Sequence, residues 1–275
     1  MPKSNDRKKI TVQTFINKKA KGEKIVVLTA YDYFTAKLLD QAGIDSVLVG
    51  DSASNVIHGY DSTLPITMEV MIAHTAAVAR GTEKALVIAD MPFLSFQPST
   101  ETAVLNAGRF LKEGGAEAVK IEGGIEIAAT VKRVIECGIP VMGHIGMTPQ
   151  SIHSFGGPKV QGKEQKSRAY LIESALALEE AGCFSMVLEL MQADVAHEIT
   201  KSLKTAATIG IGAGPHCDGQ VLVINDILGL REEEFQPKFL RQYADLPPII
   251  TEAVKKFIDD VHRGDYPSEN ESYQS

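Results

Sequence analysis

The fold is decided by the stretch Ala118-Val119-Lys120-Ile121-Glu122-Gly123-Gly124, in which a lysine and a glutamate interrupt an otherwise apolar strand. Side chains in a strand alternate between its two faces, so Lys120 and Glu122 point the same way. A buried charge is costly unless it is paired, hydrogen-bonded or bound to a metal. The two glycines then end the strand and open a turn. The stretch therefore predicts either a ligand or metal site at the carboxyl end of a strand, or a structural ion pair.

Seven further segments of the same apolar kind surround this strand and alternate with helical patterns. They are Ile25 to Ala30, Ser46 to Asp51, Ala85 to Asp90, Pro140 to Ile145, Ser185 to Leu190, Thr208 to Gly212 and Gln220 to Ile224. Strands that are apolar on both faces and alternate with helices indicate a parallel sheet. Eight of them in roughly 200 residues match a closed (β/α)₈ TIM barrel better than an open sheet. We therefore predict an α/β protein with this barrel fold.

The helical patterns fill the segments between these strands. A short amphipathic helix capped by Thr11 precedes the first strand, and the others are Phe34 to Gly43, Thr67 to Arg80, a helix opened by Ser99, Ile125 to Glu136, Glu164 to Ala181 and Ala193 to Leu203. A long Gly-rich segment follows Ile145 and continues through Gly162, and such a loop is usually functional or a lid.

The link from Gly212 to Gln220 fits the barrel prediction least well. It is too short for the usual helical crossover of about a dozen residues, so either that helix is missing or the eighth strand is misplaced. Beyond Asp226 the sequence predicts one amphipathic helix, about Ile249 to His262, for the outer ring or a subunit contact. We predict one domain over residues 1–275, with residues 1–9 and about 267–275 as flexible tails.

Composition excludes several classes of function. The 275 residues carry a formal net charge of -7 with a pI near 5.6, which gives no electrostatic footprint for nucleic acid. The polar start lacks the apolar core of a signal peptide, and no run of about eighteen apolar residues predicts a membrane span. Cys137, Cys183 and Cys217 share no metal-like spacing, and reduced thiols in a cytoplasm explain them better than disulfides.

Charged residues collect where the predicted strands end. In a (β/α)₈ barrel the active site lies at the carboxyl ends of the strands. The side chains that this rule brings to one rim are Asp51, Asp90, Lys120, Glu122, His144 and Glu189. Mutual repulsion among four carboxylates is relieved by a hard divalent cation, and Mg²⁺ takes oxygen ligands while keeping positions open for water or substrate.

Each of these residues also has a plainer explanation. Asp51 and Asp90 can cap the helices that follow them, which is the commonest role of an aspartate after a strand. His144 can be a hydrogen-bonded wall residue, and Ser52 can satisfy a turn. Glu189 is harder to explain structurally, because an unpaired carboxylate among apolar neighbours has a raised pKa, which suits a general base.

Several longer strings occur in a characteristic order along the chain. They are residues 28–32, 49–52, 61–65, 89–93, 119–124, 143–150, 160–162, 210–214 and 217–220, with Ala89-Asp90-Met91-Pro92-Phe93 and Gly143-His144-Ile145-Gly146-Met147-Thr148-Pro149-Gln150 among them. From about Thr11 to Pro267 the chain resembles the 3-methyl-2-oxobutanoate hydroxymethyltransferase family, which forms ketopantoate for pantothenate and coenzyme A biosynthesis. The resemblance implies a cytoplasmic (β/α)₈ enzyme and a homo-oligomer, typically a decamer in bacteria.

The resemblance also implies roles at the matching positions. Asp51, Asp90 and Glu122 look like the Mg²⁺ ligands, one cation per subunit. Ser52 and Lys120, together with Asp51 and Asp90, look like the residues that hold the carboxylate and keto oxygens of the 2-oxo acid. The cation is expected to stabilise the enolate of that substrate.

Glu189 looks like the base that removes the C3 proton of 3-methyl-2-oxobutanoate, with His144 and Tyr31 as possible supporting residues. The resulting carbanion is expected to take the one-carbon unit of 5,10-methylenetetrahydrofolate, the cosubstrate. Two segments depart from the family pattern. Ala53-Ser54-Asn55 stands where Leu-Gly-Met is usual, and Leu190-Met191-Gln192 stands where a Cys-Val-Pro-like segment is usual.

Two other functions compete with this one. A metal-dependent 2-oxo-acid lyase of the same barrel group, similar to isocitrate lyase or phosphoenolpyruvate mutase, is expected to carry a cysteine-bearing catalytic loop, which the sequence lacks. A non-catalytic barrel that binds a small metabolite is expected to have lost Glu189 or one of the acidic ligands, and all are present. Small-molecule substrates, without nucleic acid or membrane partners, are therefore predicted.

Overall fold

Eight parallel strands close into a barrel in the computed structural model, which describes residues 7–231 and 237–273. Strand follows strand in chain order, and the last pairs with the first. The strands are β1 Ile25–Thr29, β2 Ser46–Val49, β3 Leu86–Asp90, β4 Ala118–Glu122, β5 Val141–Gly146, β6 Ser185–Glu189, β7 Ala207–Ile211 and β8 Gly219–Leu222. The predicted (β/α)₈ barrel is confirmed.

Helices alternate with the strands as the sequence pattern predicts. They are α1 Val12–Lys21, α2 Tyr33–Ala42, α3 Ala53–Val56, α4 Met68–Gly81, α5 Thr100–Lys112, α6 Ala128–Glu136, α7 Ile152–Phe155, α8 Gln165–Glu180, α9 Ala193–Ser202, α10 Ile224–Ile227 and α11 Leu246–Arg263. Short 3₁₀ turns at Ile125–Ile127 and Pro149–Ser151 precede α6 and α7. Side-chain caps fix several helix starts, since Thr67 accepts the N–H of Val70 and Ser99 that of Thr102.

The amino-terminal helix α1 closes one end of the barrel. Phe15 is fully buried and meets the ring of Phe184 edge to face, with centroids 5.5 Å apart. The same apolar cluster contains Ile25, Val27 and Leu86 from the strands. Burying such side chains stabilises the fold by roughly 1.5–3 kcal/mol each. The packed core therefore occupies the amino end of the barrel, and the polar site lies at the carboxyl ends.

The pairing of the last two strands shows which alternative for the short link between them is correct. Gly219 lies opposite both Ile209 of β7 and Ile25 of β1, so the eighth strand is correctly identified and residues 212–218 form a loop without a helix. A side chain at Gly219 would meet the carbonyl oxygen of Ile25 at 2.3 Å, which only glycine avoids. The predicted strand end at Ile224 is wrong, because Ile224 begins α10.

The chain divides into two compact units, Met1–Val223 and Ile224–Ser275. The first contains the barrel, and the second contains α10 and α11. The helix predicted near residues 249–262 is confirmed as α11, in which no residue is buried. None of the helices among residues 7–231 and 237–273 has the length and apolar character that crossing a membrane requires.

The single-domain boundary and the flexible tails stay predictions. Residues 1–6 and 274–275 lie outside the described residues. Lys9, which the sequence assigns to a tail, bonds to the carbonyl oxygen of Ala85 at 2.7 Å and to the Glu117 carboxylate at 2.6 Å. Near the other end, Glu269–Glu271 forms a 3₁₀ turn.

Candidate active site

The carboxyl ends of β2 to β5 bring five polar side chains into one buried cluster. Strand register places Asp90 beside Lys120 and Glu122 beside His144. Asp51 directly follows β2, and its backbone N–H donates to Asp90 Oδ2 at 3.1 Å. At most 5% of any of these five residues is exposed. Five of the six residues predicted for the rim from the strand ends are therefore assembled here, almost out of contact with water.

Three carboxylates of this cluster form what we call the acid triad: Asp51, Asp90 and Glu122. Each offers an oxygen within 4.8 Å of those of the other two. Burial, together with the charges of Asp90 and Glu122, raises the pKa of Asp51 well above its usual value. Burial also raises the pKa of Asp90. An all-oxygen set of this kind fits a hard divalent cation such as Mg²⁺, whose charge would stabilise the ionised forms.

Neither aspartate of the acid triad caps a helix. Ser52 occupies the cap position of α3 and Ser99 that of α5. Asp51 instead accepts a hydrogen bond from a glutamine side chain, and Asp90 accepts one from the Asp51 backbone. The capping explanation for these two residues is therefore wrong, and their carboxylates are directed into the cluster.

Lys120 lies at the centre of the cluster. Its Nζ is 2.9 Å from Asp90 Oδ1, 3.2 Å from Glu122 Oε1 and 2.9 Å from His144 Nδ1. Burial lowers the pKa of Lys120, but the charges of Asp90, Glu122 and Asp51 outweigh burial and raise it above its usual value. The ammonium group therefore stays charged.

Lys120 and Glu122 are in direct contact. The structural ion pair, which the sequence offers as the alternative to a ligand or metal site in residues 118–124, is therefore present in the protein. One lysine nevertheless faces three buried carboxylates. Pairing with Lys120 compensates about one negative charge. The remaining negative charge must be compensated by protonation, by His144 or by a cation. The ion pair thus accounts for part of the cluster, and the acid triad has the geometry of a candidate cation site.

His144 bridges two carboxylates. Its Nδ1 is 3.1 Å from Glu122 Oε1, and its Nε2 is 3.2 Å from Glu189 Oε2. Burial and the charge of Lys120 lower the pKa of His144, whereas Glu122 and Glu189 raise it more strongly, to about 9. Burial raises the pKa of Glu122, but the opposing effect of Lys120 and His144 is stronger and lowers that pKa to about 2. The histidine is therefore an electrostatic link between the acid triad and Glu189, and more than a wall residue.

Glu189 ends β6 at the mouth of the barrel. The sequence suggests an unpaired carboxylate enclosed by apolar neighbours, and this expectation is wrong. The side chain is 22% exposed and faces His144. The next residue, Leu190, has a left-handed φ of 44°, a conformation that costs about 1–3 kcal/mol in a non-glycine residue. Glu189 is thus a partly exposed carboxylate that lies beside one imidazole and is followed by a strained turn.

Ser52 and Tyr31 meet on the opposite side of the cluster. The Tyr31 hydroxyl lies 2.8 Å from Ser52 Oγ, and Ser52 makes no side-chain cap bond to α3. The departing segment Ala53-Ser54-Asn55 forms part of this short helix, and Ser54 Oγ donates to the carbonyl oxygen of Ser62 at 2.7 Å. The altered loop is therefore ordered by its own hydrogen bonds beside Ser52.

Gln150 is a site residue to which the sequence reasoning gave no role. Its backbone N–H donates to Glu122 Oε2 at 3.1 Å, and its side-chain Nε2 donates to Asp51 Oδ2 at 3.0 Å. The same Nε2 donates to the carbonyl oxygen of Met91 at 2.9 Å. The sequence feature that could have identified Gln150 as a site residue is its position at the end of the family string formed by residues 143–150. Gln150 orients two carboxylates of the acid triad.

A cavity of about 490 Å³ opens beside the acid triad, within the usual size range of ligand pockets. Glu122 and Gln150 line it, as do Ser151 and the end of α7. The Gly-rich segment that the sequence predicts to be functional therefore forms one wall of this cavity, and its role as a lid stays a prediction. Asp51, Asp90 and Lys120 lie deeper and do not line it.

A sequence profile described as ketopantoate hydroxymethyltransferase matches residues 9–269. The 3-methyl-2-oxobutanoate hydroxymethyltransferase of Geobacter metallireducens is 54% identical over 268 residues, covering 98% of this chain and 99% of that protein. The enzyme of the same name from Chlorobaculum tepidum is 52% identical over 276 residues, covering 99% of each chain. The similarity therefore extends over nearly the whole length of these proteins.

Solved structures with the same fold are much more distant in sequence. A protein described as a putative phosphonomutase from Burkholderia cenocepacia superposes with a TM-score of 0.62 at 11% identity, covering 92% of this chain and 98% of that one. A phosphonopyruvate hydrolase, solved in complex with oxalate and Mg²⁺, gives 0.59 at 14% identity, covering 95% and 93%. At these identities the likeness concerns the barrel fold alone.

Proposed function

The chain belongs to the ketopantoate hydroxymethyltransferase family, and we propose that it transfers a one-carbon unit from 5,10-methylenetetrahydrofolate to C3 of 3-methyl-2-oxobutanoate. The products are 2-dehydropantoate and tetrahydrofolate. Membership of the family makes the protein an enzyme of pantothenate biosynthesis. The proposed reaction and its mechanism rest on one observation, the buried acid triad with Lys120 at its centre and Glu189 at its edge.

The acid triad would hold the cation, one Mg²⁺ per subunit. Its three carboxylates supply oxygen ligands, and Gln150 fixes two of them through hydrogen bonds of 3.0 and 3.1 Å. When bound, the cation supplies positive charge that stabilises negative charge developing on the keto oxygen of the substrate. Burial and repulsion within the triad, which together raise the pKa of Asp51, support a site built for a cation.

Lys120 and Ser52 orient the 2-oxo acid. The Lys120 ammonium stays charged among the buried acids, so it can donate to a carboxylate or keto oxygen of the substrate. Ser52 Oγ is held by the Tyr31 hydroxyl at 2.8 Å and offers a second polar contact on the same rim. Together they set the substrate so that its C3 atom faces Glu189.

Glu189 acts as the base that removes the C3 proton. Its carboxylate is partly exposed at the barrel mouth, so a substrate can reach it, and His144 Nε2 lies 3.2 Å from it. The electron pair left on C3 forms a C–C bond to the methylene carbon of the folate as one of its C–N bonds breaks, and water then adds its hydroxyl group to that carbon as the second C–N bond breaks. The proton taken by Glu189 and the remaining proton of the water go to the two released nitrogens, which gives tetrahydrofolate. His144 steadies the charge of Glu189 before the transfer.

The deciding experiment separates proton removal from one-carbon transfer. Purified protein is incubated with Mg²⁺ and 3-methyl-2-oxobutanoate in D₂O, and loss of the C3 proton signal is followed by NMR. A parallel reaction with 5,10-methylenetetrahydrofolate is analysed for 2-dehydropantoate by mass spectrometry. Exchange and product together support the proposal, whereas absence of both would refute it.

We also propose a homo-oligomeric enzyme, a decamer as in the bacterial members that the chain resembles, in the cytoplasm and without nucleic acid or membrane partners. The net charge of -7 disfavours nucleic acid. Six large apolar side chains of α11 are at least 44% exposed, namely those of Ile249, Ile250, Val254, Phe257, Ile258 and Val261. Such a surface supports association with another subunit, and light scattering after gel filtration would measure the mass.

A further inference from the structure

We propose that the cavity beside the acid triad binds the folate cosubstrate, with the Glu126 carboxylate pairing with the amino-pyrimidine edge of the pteridine ring. This inference rests on the proposed function and assigns the second substrate to a place in the site. Nothing in the roles of the acid triad, Lys120 and Glu189 uses this cavity. It nevertheless adjoins them through Glu122 and Gln150.

Position favours a second substrate in this cavity. The oxo acid is small and belongs near Lys120 and Ser52, on the side of β2 to β4. The cavity lies on the other side, between the turn after β4, the segment after β5 and helix α8. Its volume of about 490 Å³ exceeds the needs of a five-carbon acid and suits a bicyclic ring with its attached aryl group.

The walls of the cavity suit a flat heteroaromatic ring. Phe96, Phe155 and Tyr170 line it together with Ile127 and Leu171. Phe96 is 2% exposed and therefore belongs to a fixed wall. Aromatic and aliphatic surfaces of this kind stack on or flank a planar ring, and a few polar groups among them fix its orientation.

Glu126 is the polar group that can select the ring. Its Oε1 accepts the Gly124 N–H at 2.8 Å, and its Oε2 accepts the Tyr170 hydroxyl at 2.8 Å. A carboxylate has about four acceptor positions, so each oxygen keeps a free lone pair. Two parallel N–H donors, such as the 2-amino group and N3–H of a pteridine, match that pair of acceptors.

The Glu126 carboxylate also allows the cavity to discriminate between the two substrates. A negative charge on the cavity wall repels the carboxylate of the oxo acid and attracts a ring edge that carries only donors. Burial and the Glu126 charge raise the pKa of Tyr170 to about 12, so its hydroxyl remains a donor to Glu126. A side chain at Gly124 would approach the Tyr170 hydroxyl oxygen to 2.4 Å, and this close packing fixes the turn against α8.

The test uses Glu126→Gln and Tyr170→Phe in the full-length Mg²⁺-loaded enzyme. We expect Glu126→Gln to raise the KM for 5,10-methylenetetrahydrofolate by about 10- to 100-fold, the range that corresponds to losing hydrogen bonds to a charged group. The KM for 3-methyl-2-oxobutanoate and the C3 exchange rate without folate should change less than about twofold, because the acid triad and Glu189 are untouched. Tyr170→Phe should raise the folate KM more weakly.

Glu173→Gln is the matched control, since Glu173 is exposed on α8 and does not line the cavity. It should leave both KM values unchanged. Fluorescence titration with tetrahydrofolate alone gives a direct binding constant, and the variants should weaken it in parallel with KM. An unchanged folate KM in a folded Glu126→Gln enzyme would overturn the assignment. Failure of the native enzyme both to exchange the C3 proton and to form 2-dehydropantoate would instead overturn the proposed function.

Discussion

Replacing Glu189 by Gln tests the assignment of the base most directly. The substitution keeps the size of the side chain and removes its ability to accept the C3 proton. A positioned general base contributes about 10²- to 10⁴-fold to a rate. We therefore expect C3 exchange of 3-methyl-2-oxobutanoate to fall by at least about a hundredfold, and formation of 2-dehydropantoate to fall with it.

The structure sets the size of the accompanying changes. Glu189 is 22% exposed and has one charged contact, His144 Nε2 at 3.2 Å, so losing its charge should cost roughly 1 kcal/mol of stability or less. Such a loss lowers the Tm by about 2–4 °C in a protein of this size. Glu189 lies outside the acid triad, so the affinity for Mg²⁺ should change less than about threefold.

The assay follows exchange by NMR in D₂O at saturating Mg²⁺, beside isothermal titration with Mg²⁺ and thermal unfolding. Glu173→Gln, the same chemical change at an exposed position, should match the native protein in all three measurements. Exchange at the native rate in a Glu189→Gln protein that binds Mg²⁺ normally would refute the reasoning and move the base elsewhere on the rim.

Three other perturbations test the buried cluster. Lys120→Met leaves the acid triad without its ammonium partner and should destabilise the metal-free protein by about 3–5 kcal/mol in urea unfolding, with Mg²⁺ restoring part of the loss; equal stability with and without Mg²⁺ would contradict this. Gln150→Ala removes the side-chain bond that positions a triad carboxylate and should weaken Mg²⁺ binding by about 10- to 100-fold in titration calorimetry, whereas Gln13→Ala on α1 should not. His144 has its pKa raised from 6.5 to about 9, so its contribution to the stability of the metal-free protein is fully present below about pH 6.5 and is lost as the pH rises through about 9. Urea unfolding across that range should show the decline, and a His144→Gln variant that declined equally would exclude His144 as its source.

The buried cluster is compatible with both the structural and the functional interpretation of the same stretch. Lys120 contacts Glu122 directly, as an ion pair does, yet it also contacts Asp90 and His144. A network with more acids than bases is costly to bury for stability alone. Its arrangement at the carboxyl ends of parallel strands, where barrel enzymes bind their ligands, is consistent with function as the reason for that cost.

The sequence by itself determined the barrel and the rim. The alternation of apolar strands with helices is a local pattern, and parallel strands in a closed barrel all end at the same face. The meeting of Asp51, Asp90, Lys120 and Glu122 therefore follows from the positions of the strand ends alone. The long ordered strings also sufficed to identify the family, which the similarity over residues 9–269 bears out.

Only the tertiary structure decided the contacts that cross between loops and strand ends. Gln150 reaches Asp51 across 99 positions of sequence, and no periodicity records such a bond. The pairing of Glu189 with His144, its partial exposure and the missing helix after β7 likewise depend on how the barrel closes. Periodicity specifies which face a side chain takes, whereas its partner is set by the packing of segments distant in the chain. For this reason the stretch from Ala118 to Gly124 revealed that a charged site exists, and the fold alone showed that Lys120 serves three neighbours at once.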